Sequence, residues 1–305
     1  MTFPPYLQPG DTIGIVCPAG QMEAARAQDC IAALTRWGYR VRTGKTLGHA
    51  WHYFSGTDQE RLDDLQAMLD DPEVKAILCG RGGYGTSRII DRLDFAAFRR
   101  APKWVIGFSD VTVLHAHLFS VYDTASLHAP MAGAFQGEGA QGPSVASLKA
   151  ALEGRLATYT CAPHAANRPG QTEAVLLGGN LTLLAHLVGS VSDLPTDGAL
   201  LFIEDIGEYR YNLDRMLLQL SRAGKLERLA GLIAGGFTDL KDTVIPFGQG
   251  VEEMILDKVG AYGYPVCFGF PTSHHGDNYA LKVGGRYRLD VDSSGASLLE
   301  INPYL

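Results

Sequence analysis

The stretch "WVIGFSDVTVLHAHLF", residues 104–119, contains a strand, a sharp turn and a helix in immediate succession. Trp104 to Phe108 form an apolar run that is typical of a buried strand. The residues from Asp110 onward have the character of the first turns of a helix. Ser109 therefore lies at a strand-to-helix turn. Such a turn either presents a nucleophilic hydroxyl at the edge of a sheet or uses the serine as an ordinary helix N-cap.

The first half of the chain repeats this alternation of strand and helix signals. One helix is expected to begin at the capping-box spacing of Thr57 and Glu60. "RGGYGTSRIIDRL", residues 81–93, predicts a glycine-rich turn that continues into another helix. Strands that alternate with helices predict βαβ units on a parallel sheet, and ligands bind such sheets beyond the carboxyl ends of the strands. The glycine-rich turn and Ser109 are both expected at that edge.

The second half of the chain has a different composition. Around residues 136–173 it becomes rich in Gly, Pro, Ala and polar residues, which is typical of a connection between domains. We predict an N-terminal α/β domain over residues 1–155, a linker over 156–172 and a C-terminal domain over 173–305. The C-terminal part mixes strand-like segments with a strong helix, which predicts an α+β domain with a sheet or small barrel.

Composition and charge exclude several classes of protein. Of 305 residues, 46% are apolar and 19% are charged, as in a compact soluble protein. The net charge of −7 argues against a nucleic-acid partner. No apolar run approaches the roughly 20 residues of a membrane helix, so no membrane partner is expected. The five scattered cysteines predict free thiols in a reducing cytoplasm: Cys17, Cys30, Cys79, Cys161 and Cys267.

A nucleophilic serine needs a histidine to take its proton and a carboxylate to orient that histidine. His115 and His117 follow Ser109 on the helix and are expected to be packing or surface residues of that helix. His128 follows a strand and fits a crevice as well as a structural role.

Two other segments supply further candidates for the base and the carboxylate. "GFPTSHHGDNYALKVG", residues 269–284, places two histidines in a loop of Gly, Pro and polar residues, and loops often carry function. Adjacent histidines point apart and no spaced ligand set accompanies them, so no metal is predicted. "LLFIED" ends a strand with Glu204 and Asp205, which either cap a helix, pair with Arg210 or Arg215, or orient a histidine.

Together these segments resemble the LD-carboxypeptidase family of serine peptidases, which includes the microcin-immunity proteins. The resemblance covers nearly the whole chain. It implies a flavodoxin-like or Rossmann-like N-terminal domain, a C-terminal domain with a barrel-like sheet, and a Ser-Glu-His triad formed by Ser109, Glu204 and His274. It rests on "GDTIGIVCPAG", "RGGYGTSRIIDRLDF", "KWVIGFSDVT", "HAPM", "LLGGNLTLLAHLVGS", "LFIEDIGEYRYNLDRML" and "GFPTSHHGDNYALKVG".

The sequence departs from the family pattern near the predicted base. The family's Gly-His pair is Ser273-His274 here, and His275 follows. Alignment without a gap selects His274, whereas a one-residue deletion would select His275. Lys282 replaces a usual proline, and Ala129 replaces the glycine of "HGPM". These changes affect the expected loop geometry.

The resemblance implies a small peptide substrate, cleaved by Ser109 without a cofactor or metal. The backbone N–H groups of Asp110 and Gly83 would hold the oxyanion. The expected reaction removes the terminal D-alanine of a murein tetrapeptide during cytoplasmic cell-wall recycling, and family members resemble homodimers. Three alternatives stay open: a microcin-immunity-type hydrolase of peptidyl nucleotides, a non-catalytic two-domain binding protein, and an inactive homologue.

Overall fold

A computed structural model describes residues 1–302 of the chain, apart from the side chain of residue 138. The chain divides into two compact units: Met1–Arg155 with Tyr279–Lys282, and Leu156–Asn278 with the chain from Val283 onward. The predicted domain and linker boundaries stay a prediction. The last three residues of the predicted C-terminal domain, 303–305, lie outside the described residues.

The first unit is built on a six-stranded sheet. Five of its strands are parallel, in the spatial order β2-β1-β3-β4-β5 that is typical of flavodoxin-like folds, and β11 follows β5. The predicted parallel α/β sheet is therefore confirmed. The strands are β1 (Thr12–Val16), β2 (Arg40–Thr43), β3 (Val74–Cys79), β4 (Trp104–Gly107), β5 (Ser126–His128) and β11 (Leu281–Val283). The helices are α1 (Gln28–Arg36), α2 (Asp58–Asp70), α3 (Ala96–Arg100), α4 (Thr112–Tyr122) and α5 (Pro143–Leu152).

Local sequence signals explain most of these elements. Strands β1 and β4 are buried along their whole lengths, as expected of strands covered on both faces. Helix α2 begins at the predicted capping box: the Glu60 N–H donates to Thr57 Oγ1 over 3.2 Å, and the Thr57 N–H donates to Glu60 Oε2 over 2.8 Å.

The segment after the glycine-rich turn differs from the prediction. Instead of one α-helix it forms two short 3-10 turns, Thr86–Arg88 and Ile90–Arg92. The buried, β-branched Ile89 and Ile90 lie at the junction, where such side chains lower helix propensity.

The second unit is built on a seven-stranded mixed sheet in the order β10-β9-β8-β7-β12-β13-β6. The pairs from β7 to β10 are parallel, and the pairs from β7 through β12 and β13 to β6 are antiparallel. The strands are β6 (Thr158–Cys161), β7 (Gly170–Asn180), β8 (Leu200–Ile206), β9 (Gly231–Thr238), β10 (Val266–Phe268), β12 (Arg286–Asp292) and β13 (Gly295–Glu300). The helices are α6 (Leu181–Leu187), α7 (Arg210–Arg222) and α8 (Val251–Val259).

This sheet is strongly curled. Its edge strands β6 and β10 come together where Cys161 Sγ lies 3.4 Å from Cys267 Sγ. Arg168 and Val266 also exchange backbone hydrogen bonds of 2.9 and 3.1 Å. Within the described residues the strand order is nevertheless open, so a closed barrel stays a prediction. Strand β6 and the first residues of β7 lie within residues 156–172, the range predicted as the linker.

None of the helices within residues 1–302 combines the length and the apolar character needed to cross a membrane.

Candidate active site

Ser109 follows β4 at a strained turn in the first unit. Its φ is +62°, a left-handed value that is uncommon for a residue with a side chain. Ser109–Val111 form a 3-10 turn that leads into α4, and the cap positions of both elements lack a side-chain hydrogen bond. The N-cap interpretation of Ser109 is therefore not supported. The N–H groups of Ser109 and Asp110 lie at the start of a helix, where backbone donors lack helical acceptors.

The glycine-rich turn after β3 packs directly against Ser109. A Cβ atom on Gly82 would lie 3.0 Å from Ser109 Cβ and 3.2 Å from its Oγ, so a side chain here would press on the hydroxyl. The Thr86 N–H donates to Asp110 Oδ2 over 2.8 Å, which ties the two turns together. Burial raises the pKa of the Asp110 carboxyl above its ordinary value. Gly83, the predicted oxyanion donor, has a φ of +101°.

The histidines near Ser109 within the first unit are packed in its core. The Nε2–H of His115 donates to Gly107 O over 2.9 Å, and its Nδ1 lies 2.8 Å from Ser126 Oγ. This pattern suits the neutral ring, and burial lowers the pKa of His115 to about 4. His117 packs against aromatic rings, and His128 is buried next to Phe108. His115 therefore supports the backbone that precedes Ser109, as expected of a packing residue.

Glu204 and His274 form a buried pair in the second unit. Glu204 lies near the carboxyl end of β8, and its Oε2 lies 2.6 Å from His274 Nδ1. Because an ionised carboxylate only accepts, Nδ1 carries the hydrogen, and the neutral imidazole keeps its lone pair on Nε2. The Glu204 side chain is 0% exposed and that of His274 is 13% exposed. Burial raises the pKa of Glu204, and the hydrogen bond from His274 opposes this shift.

The neighbouring carboxylate, Asp205, has a structural role. It accepts hydrogen bonds from the Asn180 amide over 2.9 Å, and from the Thr182 N–H and hydroxyl over 2.9 and 2.8 Å. These bonds hold the first turn of α6 against the end of β8. Successive side chains of a strand point to opposite faces, so Asp205 serves the fold while Glu204 faces His274.

The loop that carries His274 rests on two glycines of β9. A Cβ on Gly235 would lie 2.2 Å from Thr272 O, and one on Gly236 would lie 2.2 Å from Ser273 Oγ. The Gly236 N–H also donates to Thr272 O over 2.9 Å. The glycines thus let the loop approach the sheet and fix the backbone next to His274.

His275, the alternative base, points elsewhere. Its Nε2 lies 2.7 Å from Asp239 Oδ2, in a pair whose side chains are 61% and 63% exposed. The two adjacent histidines therefore have different partners, one buried and one at the surface.

The structure thus brings together two parts of the predicted site, each within one unit. Ser109, Asp110 and the glycine-rich turn are in the first unit, and the Glu204–His274 pair is in the second. Among residues 1–302, no cluster of three or more His, Cys, Asp or Glu side chains is arranged to hold a metal ion. Gly82 lies in the predicted glycine-rich turn, but its contact with Ser109 could not be read from the sequence. Gly236 had no signal in the sequence beyond belonging to a Gly-Gly pair.

Both halves of the chain match domains of one known protein family. Residues 13–129 match the LD-carboxypeptidase N-terminal domain, and residues 173–289 match the LD-carboxypeptidase C-terminal domain. The chain belongs to the LD-carboxypeptidase family. It is therefore a hydrolase of the carboxypeptidase class, and its family implies a peptide substrate.

Individual LD-carboxypeptidase relatives extend over nearly the whole chain. The probable murein peptide carboxypeptidase of Bacillus subtilis (strain 168) is 36% identical over 291 residues, 94% of this chain and 91% of that protein. The microcin C7 self-immunity protein MccF of Escherichia coli is 25% identical over an alignment of 325 residues, 95% of this chain and 94% of that protein. The crystal structure of muramoyltetrapeptide carboxypeptidase from Oxalobacter formigenes matches with a TM-score of 0.84 at 29% identity, covering 95% of this chain and 99% of that chain.

This LD-carboxypeptidase accommodates its departures from the family pattern by local packing. Lys282 is buried, with its Nζ 3.4 Å from the Tyr6 hydroxyl and 4.9 Å from the centre of that ring. The Ala129 N–H donates to Gly107 O over 3.1 Å.

Proposed function

We propose that this protein is a serine-type LD-carboxypeptidase in which Ser109 is the nucleophile, His274 the base and Glu204 the carboxylate that orients the base. The observation that carries the proposal is the buried 2.6 Å contact between His274 Nδ1 and Glu204 Oε2. Such a contact fixes the tautomer that a general base requires. The strained Ser109 turn supports the choice of nucleophile, since strain of this kind clusters at functional sites.

The proposed reaction follows the two-step logic of acyl transfer. His274 Nε2 takes the proton of Ser109 Oγ, which attacks the carbonyl carbon of the scissile amide. The backbone N–H groups of Asp110 and Gly83 hold the oxyanion, and loss of one such donor typically costs about 10²–10³ in turnover. His274 returns the proton to the leaving amine. A water molecule then hydrolyses the acyl-enzyme by the same route, without a metal or cofactor.

The proposed substrate is a murein tetrapeptide, from which the enzyme releases the terminal D-alanine. The substrate class follows from the family and from relatives named for murein peptides. We expect the reaction to be part of cytoplasmic cell-wall recycling and the enzyme to act as a homodimer.

A second candidate activity is hydrolysis of peptidyl nucleotides. It is favoured by Tyr209 and Tyr211, which follow β8 with 38% and 39% of their surface exposed and ring centres 5.5 Å apart. Exposed aromatic rings of this kind can stack on a base. Each ring also lies beside a cation of the same unit: Lys241 is 5.9 Å from the centre of the Tyr209 ring, and Arg215 is 5.3 Å from that of Tyr211.

One comparison of substrates tests the proposal against this alternative. The purified protein is incubated with L-Ala-D-Glu-meso-diaminopimelate-D-Ala, with the same peptide ending in L-Ala, and with aspartyl sulfamoyl adenosine. Release of alanine from the D-terminated peptide alone supports the LD-carboxypeptidase. Cleavage of the sulfamoyl nucleotide alone would replace it with the second candidate, and binding without cleavage of any substrate would favour the non-catalytic protein.

A further inference from the structure

Arg81 and Tyr53 flank the glycine-rich turn that packs on Ser109. Arg81 immediately precedes Gly82, and consecutive Cα atoms are 3.80 Å apart. The Tyr53 hydroxyl lies 2.7 Å from the position of a Cβ on Gly83. Both side chains are exposed. Tyr53 comes from a part of the sequence distant from the glycine-rich turn. The loop after β1 holds both in place: Arg81 Nη1 donates to Gln21 O over 2.7 Å, and the Gln21 N–H donates to Tyr53 O over 3.2 Å.

The Arg81 guanidinium keeps donors available for a ligand. Its bond to Gln21 uses one of five N–H groups, and within residues 1–302 no carboxylate lies at ion-pair distance from it. By contrast, Arg61 and Arg88 share the carboxylate of Asp58. Arg81 is therefore an anchored cation next to the proposed nucleophile that no acid of the described chain neutralises.

A carboxypeptidase needs such a group. Its substrate carries a free carboxylate only two bonds beyond the scissile nitrogen. The group that recognises this carboxylate must therefore lie, in space, about the length of one amino-acid residue from the nucleophile. Arginine binds carboxylates through paired, charge-assisted hydrogen bonds, and a phenol can add a third donor.

We propose that Arg81 and Tyr53 form the subsite that binds the C-terminal carboxylate of the peptide substrate. This inference rests on the proposed function, because the subsite is placed relative to Ser109. It explains why the glycine-rich turn begins with arginine and why an exposed tyrosine reaches over Gly83.

Binding measurements test the subsite without depending on turnover. Calorimetry on the Ser109→Ala protein compares the murein tetrapeptide with its C-terminal carboxamide. We expect the free acid to bind roughly tenfold or more tightly, as for a charge-assisted hydrogen bond. Adding Arg81→Gln should remove this preference by weakening binding of the acid alone, and adding Tyr53→Phe should reduce it.

The control is Arg100→Gln, at the exposed end of α3 and before the amino end of β4. It should leave the preference for the acid unchanged. The proposal is overturned if adding Arg81→Gln leaves the preference for the acid as large as in the Ser109→Ala protein. It is also overturned if the Ser109→Ala protein itself prefers the acid by less than about twofold. Absence of turnover in the unmodified enzyme would refute the proposed function but leave the binding comparison valid.

A second inference comes from the two cysteines at the edges of the second sheet. Cys161 on β6 and Cys267 on β10 are 106 residues apart in sequence, yet their sulfur atoms lie 3.4 Å apart. Cys161 is partly exposed, whereas Cys267 is buried. The hydrogen bond from the Cys267 thiol lowers the pKa of Cys161. The other three cysteines are buried, and burial raises their pKa values: Cys17, Cys30 and Cys79.

We infer that Cys161 and Cys267 form a peroxide-sensitive pair that closes reversibly to a disulfide. The Cys161 thiolate attacks hydrogen peroxide, giving a sulfenic acid and hydroxide. The Cys267 thiol then displaces the sulfenic oxygen as water, so two thiols and one peroxide give one disulfide and two waters. The bond would join the two edge strands of the curled sheet.

Thiol counting on the whole protein tests this pair. After hydrogen peroxide treatment and unfolding in alkylating agent, we expect three of the five thiols to react, and all five after reduction. Peptide mapping should show the link between Cys161 and Cys267. Cross-linking so long a loop should raise the melting temperature by roughly 5 °C.

Two single variants sharpen the result. Cys161→Ser should keep all four remaining thiols after peroxide, whereas Cys17→Ser should still lose two. Five reactive thiols in the oxidised protein would overturn the inference, as would Cys161 oxidised to sulfinic acid beside a free Cys267.

Discussion

Glu204→Gln separates the proposed catalytic role of Glu204 from a structural one. The substitution keeps the shape of the side chain but makes it an amide. Its NH₂ group would donate to His274 Nδ1 across the contact that measures 2.6 Å in the wild type. The imidazole hydrogen then belongs on Nε2, so the ring can no longer accept the proton of Ser109. In serine proteases a wrong tautomer of this kind lowers kcat by about 10⁴.

The substitution should lower activity strongly without lowering stability. A loss of 10⁴ in kcat corresponds to about 5.4 kcal/mol of lost transition-state stabilisation at 1.36 kcal/mol per factor of ten. Stability should not fall in parallel, because Glu204 is 0% exposed and burial already disfavours its charge. Removing that charge should leave the free energy of unfolding at pH 7 unchanged or slightly higher.

The assay measures kcat by D-alanine release and the free energy of unfolding by urea titration. Glu208→Gln is the matched control, since Glu208 lies four residues further on and its side chain accepts a hydrogen bond from the Asn212 amide over 3.0 Å. It should keep activity within about threefold, as for a surface change. A Glu204→Gln protein that retains wild-type kcat but loses stability would refute the catalytic assignment.

Three further predictions follow from the same contacts. Gly236→Ala should destabilise the protein by about 1–3 kcal/mol in urea titration, because its Cβ would meet Ser273 Oγ at 2.2 Å; adding Ser273→Gly should restore part of this loss, and no restoration would contradict the contact. Gly82→Ala should lower kcat about tenfold with little change in melting temperature, because the added methyl group would displace Ser109 by a few tenths of an ångström. A displacement of 1 Å typically costs about 10² in rate. An unchanged kcat would contradict the contact between Gly82 and the nucleophile. Burial lowers the pKa of His115 to about 4 from 6.5, so as the pH falls the unfolded chain binds a proton at His115 before the folded chain does. The free energy of unfolding should therefore be unaffected above pH 6.5 and fall by up to about 3 kcal/mol toward pH 4. His115→Gln should flatten this pH dependence, and an equally steep dependence in the variant would contradict the assignment.

Sequence patterns predicted the elements that depend on local chemistry. The apolar run before Ser109 and the capping box at Thr57 each depend on neighbouring residues, and both are confirmed as β4 and the start of α2. The alternation of strands and helices predicted the parallel sheet of the first unit, because βαβ units have few alternatives.

Long-range packing could not be predicted from the sequence. Residue chemistry alone does not distinguish Glu204 from Asp205 or His274 from His275, and the choice of Glu204 and His274 came from the family resemblance. The fold supplies the physical reason, because it places Asp205 at the start of α6 and Glu204 beside His274. His275 lies beside Asp239 instead. The meeting of Cys161 with Cys267 depends on the curl of a whole sheet, which has no local signature.

The central claim is that Ser109 carries out the hydrolysis. The most direct measurement is release of free D-alanine from L-Ala-D-Glu-meso-diaminopimelate-D-Ala by the wild type and by Ser109→Ala. We predict release by the wild type and a loss of at least about 10³ in rate for the variant, whose other groups stay in place. Equal release by both proteins would contradict the assignment of Ser109 as the nucleophile.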